Sequence, residues 1–175
     1  AIHELLGYPN VSIALLEEAP VPLLRVAAVA GLWEERIALG YPLPIEQGIM
    51  GEAAREGRIL LVNDVRRDPR YVPAPGAEGV TAELAVPLLL KERVLGVLNV
   101  ESPDPFSEED AASLRIVADQ VAVAIENARL VARGREVAVL RERQRLARDL
   151  HDSVTQQLFG LTLIAQSLPA AWGRD

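Results

Sequence analysis

Leu84-Ala85-Val86-Pro87-Leu88-Leu89-Leu90 and Val94-Leu95-Gly96-Val97-Leu98-Asn99-Val100 are two apolar runs around the charged triplet Lys91-Glu92-Arg93. Short apolar runs cut by Gly, Pro and charged residues read as strands, and a connection this short closes them into an antiparallel hairpin with its charges outward. Outward from this hairpin, Val11–Glu18 and Leu23–Ala30 are further strand candidates, joined by the turn-prone Ala19-Pro20-Val21-Pro22. Ile59–Val62 reads as another strand, followed by Asn63-Asp64 and a polar, proline-containing loop over Arg66–Pro75. Gly48–Glu56 predicts a short helix ended by Gly57. The strands lack regular strand–helix–strand spacing, so the expected fold class is α+β with an antiparallel sheet.

Eleven of the twelve prolines lie at or before Pro105, and none occurs from residue 106 to 168. Proline is strongly unfavourable inside a helix, so this gap is where a long helix fits. Ser107 supplies a hydroxyl N-cap, and Glu108, Glu109 and Asp110 place acids in the first turn, where they suit the helix dipole. The helix carries two apolar frames with steps of three and four. The first is Leu114, Val117, Val121, Ala124, Ala128 and Val131; the second is Ala147, Leu150, Val154, Gln157, Leu161, Ile164 and Leu168, with Leu140 one heptad earlier. Such a repeat predicts a coiled coil or bundle with a partner helix, hence a homodimer. The two frames are about two residues out of register, with Gly134 at the break. Rotation or kinking at Gly134 and a seam that loosens between two bundles explain this equally well.

The composition excludes several chemistries. The 175 residues contain no cysteine and two histidines, His3 and His151. Disulfides, thiolate metal sites, a cysteine nucleophile, sulfur-tethered cofactors and a histidine-rich metal cluster are therefore ruled out. No apolar run approaches the roughly 20 residues that span a bilayer, and no secretory leader is visible, which points to the cytoplasm. An upstream membrane anchor is outside the reach of this sequence. The chain begins at Ala1 rather than methionine and reads as a piece of a longer protein. Residues 1–128 carry 10 basic and 20 acidic side chains, net −10, whereas residues 129–175 carry 8 and 5, net +3. The acidic front argues against nucleic acid as a partner.

Residues 48–130 resemble a GAF domain. The resemblance rests on Gly48-Ile49-Met50-Gly51, Val62-Asn63-Asp64, Arg67-Asp68-Pro69-Arg70-Tyr71, Glu83-Leu84-Ala85-Val86-Pro87-Leu88 and Gly96-Val97-Leu98-Asn99-Val100-Glu101-Ser102. It continues through Phe106-Ser107-Glu108-Glu109-Asp110 and Ala124-Ile125-Glu126-Asn127-Ala128-Arg129-Leu130. Residues 1–47 fit the front of such a domain loosely. Residues 142–158, ERQRLARDLHDSVTQQL, resemble the phosphoacceptor helix of sensor histidine kinases whose partners are response regulators with helix-turn-helix output domains. The resemblance implies a GAF sensor over residues 1–130, a signalling-helix linker over 131–141 and the first part of a dimerisation and phosphoacceptor domain over 142–175. It places ATP and Mg on a kinase domain outside this chain, so the fragment alone is not expected to turn over ATP.

His151 is the candidate phosphoacceptor, because much of an imidazole is uncharged at neutral pH and its free nitrogen is a good nucleophile. It follows Leu150 and flanks the seam without filling it. Asp152 would orient the ring and take the proton from its other nitrogen. Gln156 lies one turn after Asp152, and by the resemblance it positions water against the regulator's aspartyl phosphate. Blander roles exist for some neighbours. Asp152 can pair with Arg148, Gln157 can set register in the seam, and Arg141, Arg143, Arg145 and Arg148 suit a solvated face.

The sensor's ligand stays unassigned. Cyclic-nucleotide-binding relatives carry Asn-Lys and Phe-x-x-x-Asp-Glu, whereas here Asn63 precedes Asp64 and Asp110 precedes Ala111. Haem has only His3 as an axial candidate, and Trp33, Tyr41 and Tyr71 suit either a pocket or the core. The alternative to a kinase fragment is a non-catalytic GAF module for ligand binding and dimerisation that relays conformation to another effector.

Overall fold

The computed structural model describes the backbone of residues 7–18, 20–31, 34–74 and 79–172; within the last helix, side chains are described up to residue 149, apart from 138, and at 154. The chain divides into two compact units, Ala1–Glu126 and Asn127–Asp175. Its strands are β1 (Asn10–Glu17), β2 (Leu23–Gly31), β3 (Pro42–Pro44), β4 (Leu60–Val62), β5 (Ala82–Leu90) and β6 (Arg93–Ser102). Its helices are α1 (Gly48–Glu56) and α2 (Glu108–Trp172), with a 3-10 turn at Val65–Arg67. The strands form one sheet in the order β3-β2-β1-β6-β5-β4, and every neighbouring pair is antiparallel.

The α+β class and the β5–β6 hairpin stand as expected. The connection is one residue shorter than the sequence suggested, because Arg93 pairs with Leu90 and leaves only Lys91-Glu92 in the turn. Lys91 takes a φ of 57°, the left-handed conformation a two-residue turn demands. The sequence reading missed β3, whose Pro42 and Pro44 argue against a strand. Its place at the edge of the sheet explains the tolerance, since an edge strand leaves one row of backbone groups unpaired in any case. Helix α1 has the expected bounds. Gly57 ends it at φ 62°, donating its N–H to the Ala53 carbonyl at 3.0 Å, a position a Cβ would strain.

Both faces of the sheet's centre are covered. One carries Leu84, Val86, Leu88, Leu98 and Val100 against Phe106, Ala111, Leu114, Ala118 and Ala122 from the entry and first turns of α2. The other carries Ala14, Leu24, Ala85 and Val97 against Ile49, Ala53 and Ala54 of α1. Leu114 is fully buried, and Val117 and Val121 pack on the same core, whereas Ala124 and Val131 are exposed. The first apolar frame is therefore not one continuous seam for a partner helix. Its front half is an intradomain face set by the sheet, which supplies a physical reason for a different phase further along the helix.

The entry to α2 is tied down twice. Ser107 Oγ accepts the Asp110 N–H at 3.1 Å, and Asp110 Oδ2 accepts the Ser107 N–H at 2.8 Å, a reciprocal cap with aspartate in place of the usual glutamate. Tyr8 donates its hydroxyl to Asp110 Oδ1 at 2.6 Å, fastening the segment before β1 to the same turn. Asn63, just beyond β4, donates to the Phe106 carbonyl at 2.9 Å and accepts the Phe106 N–H at 2.7 Å. Asn63 and the Phe106 segment are the two places where the chain departs from the cyclic-nucleotide pattern. The fold brings them together as a backbone clamp.

The α1-side core is not wholly apolar. Glu83 and Glu101, directly opposite each other on β5 and β6, are 5% and 6% exposed, and Asn99 beside them is 4% exposed. Burial drives both carboxyls well above the ordinary carboxylate value of 4.5. For Glu83 the Asn99 hydrogen bond opposes that rise; for Glu101 the neighbouring Glu83 adds to it.

Two stability predictions follow from these contacts. Asn63→Ala removes a donor and an acceptor from part-buried partners and should lower unfolding free energy by about 2 kcal/mol in urea denaturation. Because the buried carboxyls hold their protons in the fold while unfolded carboxyls ionise above about pH 4.5, their contribution is full at low pH and is lost as pH rises through the neutral range. Each should remove about 1 kcal/mol per pH unit over that window. Asp68 and Asp110, whose values are lowered by their hydrogen bonds to Arg70 and to Ser107 and Tyr8, lose stability only on the acid side. Melting scans from pH 5 to pH 8 should therefore show a falling midpoint, flattened in Glu83→Gln/Glu101→Gln. An unchanged slope in that variant would locate the pH dependence elsewhere.

Candidate functional site

The first unit holds a cavity of about 160 Å³ between the sheet and the loops around α1. Its floor is the polar part of the sheet: Ser12 on β1, Asn99 and Glu101 on β6, and Glu83 on β5. These residues share a face because the register sets Ser12 opposite Asn99 and Glu83 opposite Glu101. Its remaining wall is largely apolar, including Leu43, Ile49, Met50, Val72 and Pro73. Gly51 lies in this wall for a packing reason. A Cβ there would come within 2.5 Å of the Ile45 carbonyl oxygen, so only glycine lets the first turn of α1 seat against the strand-to-helix loop.

The Asp68–Arg70 segment braces one side of the cavity. Arg70 is held by Asp68 at 2.5 Å and by Glu52 of α1 at 2.7 Å, so the loop after β4 is tied to the helix. The Asp68 carboxyl is held below its ordinary value by the Arg70 hydrogen bond, and the Arg70 guanidinium is raised chiefly by Asp68. Tyr71 follows, with its hydroxyl buried and unpartnered. Burial raises its pKa, and the neighbouring Glu101 and Glu83 add to the effect.

The cavity gathers residues that the sequence reading treated differently. Of the two places open to them, Tyr41 takes the cavity wall and Tyr71 packs against the adjoining core. Trp33 and His3 lie outside the described residues. Glu83, Asn99 and Glu101 were read only as parts of a family pattern. A signal was available: each is polar within an otherwise apolar strand, and hairpin pairing sets Glu83 against Glu101. Among the described residues no cluster of His, Cys, Asp or Glu could hold a metal ion.

The other candidate site is in the second unit. Residues 151, 152 and 156 are helical, within α2, while the side chains of His151, Asp152 and Gln156 lie outside the described residues. Nearer the front of this unit, Arg145 bridges Glu142 at 2.7 Å and Asp149 at 2.8 Å, both exposed pairs on one helix face. This matches the solvated-face reading of Arg145. Leu130, Val137, Leu140, Leu146 and Val154 are exposed, each between 43% and 58%. A single helix with this much uncovered apolar surface is characteristic of one that pairs. No helix among the described residues is long and apolar enough to cross a membrane.

Comparison with known proteins agrees with both halves of this description. Residues 1–126 match the GAF domain family, and residues 142–175 match the histidine kinase family. The sensor histidine kinase YhcY of Bacillus subtilis is 42% identical over 92 residues, covering 51% of this chain and 24% of that protein. The free methionine-R-sulfoxide reductase of Escherichia coli is 26% identical over 95 residues, 53% of this chain and 56% of that one. The chain thus spans between a quarter and just over half of these relatives. Among solved structures, the GAF domain of a phosphoenolpyruvate-protein phosphotransferase from Coxiella burnetii superposes with a TM-score of 0.67 at 21% identity, over 75% of this chain and 79% of that one. Residues 142–175 are similar to the histidine kinase family, and the curled antiparallel sheet, the helix placement and the match over residues 1–126 make this chain a member of the GAF domain family.

Proposed function

We propose that the chain is the sensory and dimerisation portion of a cytoplasmic two-component sensor histidine kinase. The observation that carries this reading is the order of its two family matches, with a histidine kinase segment containing His151-Asp152 and Gln156 downstream of a GAF domain. A module that only relays conformation has no need of that side-chain cluster. Signal enters at the GAF cavity, α2 transmits it, and the exposed apolar residues of the second unit form the homodimer seam.

The chemistry assigned to His151 is in-line transfer. A lone pair on one imidazole nitrogen attacks the γ-phosphorus of ATP, bound with Mg on a domain of the same protein outside this chain. The bond to the bridging oxygen breaks, ADP leaves, and the proton on the other ring nitrogen passes to Asp152. The phosphoryl group then moves to an aspartate of a response regulator with a helix-turn-helix output domain. Gln156 orients the water that later hydrolyses that aspartyl phosphate. A neutral amide does this without repelling the phosphate charge.

In a protein carrying this chain together with its ATP-binding domain, radiolabelled ATP should give an acid-labile, base-stable phosphate that vanishes in His151→Gln. Asp152→Asn should slow labelling by about a hundredfold or more, the scale of general-base catalysis. Gln156→Ala should label normally and lose regulator dephosphorylation. Label that persists in His151→Gln would defeat the assignment. The chain itself should be a dimer by light scattering, and Leu140→Glu with Val154→Glu should weaken it. A concentration-independent monomer would remove the second unit as the seam.

A further inference from the structure

We infer that the cavity of the first unit is a receptor site for a small organic cation, an ammonium group on a compact apolar body, seated against Glu83 and Glu101. Four observations point there. The two carboxyls are adjacent across the β5–β6 ladder, nearly sealed from solvent, and in the floor of a cavity. Among the described residues neither is ion-paired with an arginine or lysine. Arg36, which also lines the cavity, is engaged in a contact of its own. Asn99, in the same floor, gives its amide hydrogen to Glu83 and keeps Oδ1 buried with no partner.

Once a carboxyl gives up its proton, the floor offers acceptors in excess of donors. An ammonium group has three donors and no acceptor, so it complements this set, whereas an anion would meet two acids. The space is close to the 150 Å³ or so of an apolar protein cavity that accommodates benzene, which sets the size of the body. The apolar wall of Leu43, Ile49, Met50, Val72 and Pro73 suits it.

Charge balance gives the site a distinctive signature. Glu83 and Glu101 face each other, with Tyr71, Asp68 and Arg70 as the charged or titratable neighbours that influence them or are influenced by them. Without a cation, burial keeps protons on the carboxyls. When the ammonium enters, a carboxyl ionises against it and its proton leaves to solvent. Binding at neutral pH is thus an exchange of one cation for one proton. The inference rests on the reading of this cavity as the sensory site, and its test reads binding alone, without phosphate transfer at His151.

Titration calorimetry of the whole chain with benzylammonium and n-butylammonium, each in two buffers of different ionisation enthalpy, tests the assignment. Benzyl alcohol and benzamide serve as neutral counterparts. The expected result is ammonium binding with proton release, weakened about tenfold or more for the neutral compounds and for Glu101→Gln and Glu83→Gln. Glutamine replaces an already uncharged carboxyl, so the variants should fold, which melting scans verify. Neutral compounds that bind as tightly as the ammonium ions would overturn the cation class. Unchanged affinity in both folded variants would move the site elsewhere, and absence of binding by both ammonium ions to the folded chain would overturn the proposal outright.

Discussion

β5 and β6 pair along their whole length in the middle of the sheet, and the hairpin they form is covered on one side by the first turns of α2 and on the other by α1. A strand buried on both faces has no solvent side on which to place a polar residue. Every polar side chain in the covered part of this hairpin must then be paired, protonated or presented to an internal cavity. Glu83, Asn99 and Glu101 meet that condition together. They are opposite or adjacent in register, two of them share a hydrogen bond, and all three lie in the floor of one cavity. The same pairing that makes the core therefore makes the candidate site.

Around this hairpin, the remaining elements hold the cavity open and anchor the exit helix. Glu52 and Arg70 tie α1 to the loop after β4, and Asn63 ties the end of β4 to Phe106 at the mouth of α2. A change in the cavity that shifted β6 or the β4 loop would bear directly on the start of α2, since both lead to the same cap at Ser107. The exposed apolar residues beyond Asn127 belong to a separate compact unit. Within that unit, residues 142–175 match the histidine kinase family.

Much of this was legible in residue order because local physics set it. The hairpin, α1 with its Gly57 terminator, the Ser107 cap and the proline-free helix follow from propensity, spacing and backbone restriction. The GAF resemblance likewise rested on residues close in sequence, and the family match covers residues 1–126. The His151-Asp152 and Gln156 cluster was visible as a dense local pattern. Elements that broke local rules were missed: β3, built on two prolines, exists because an edge is available to it.

Non-local pairing decided the rest. Periodicity showed that Leu114, Val117 and Val121 share a helix face, but an apolar face fits a sheet of the same chain as well as a helix of another. Packing resolved that choice in favour of the sheet. Asn63 marked only a departure from the cyclic-nucleotide pattern; its contact with Phe106, 43 residues away, makes it a structural clamp. Glu83 and Glu101 stand out as polar residues in apolar strands, but their burial is conferred by strands and helices arriving from elsewhere. Sequence thus determined which elements form and where they end, through forces acting over a few residues. Tertiary structure determined which faces are hidden and which charges lose their water, because desolvation depends on the whole chain around a group.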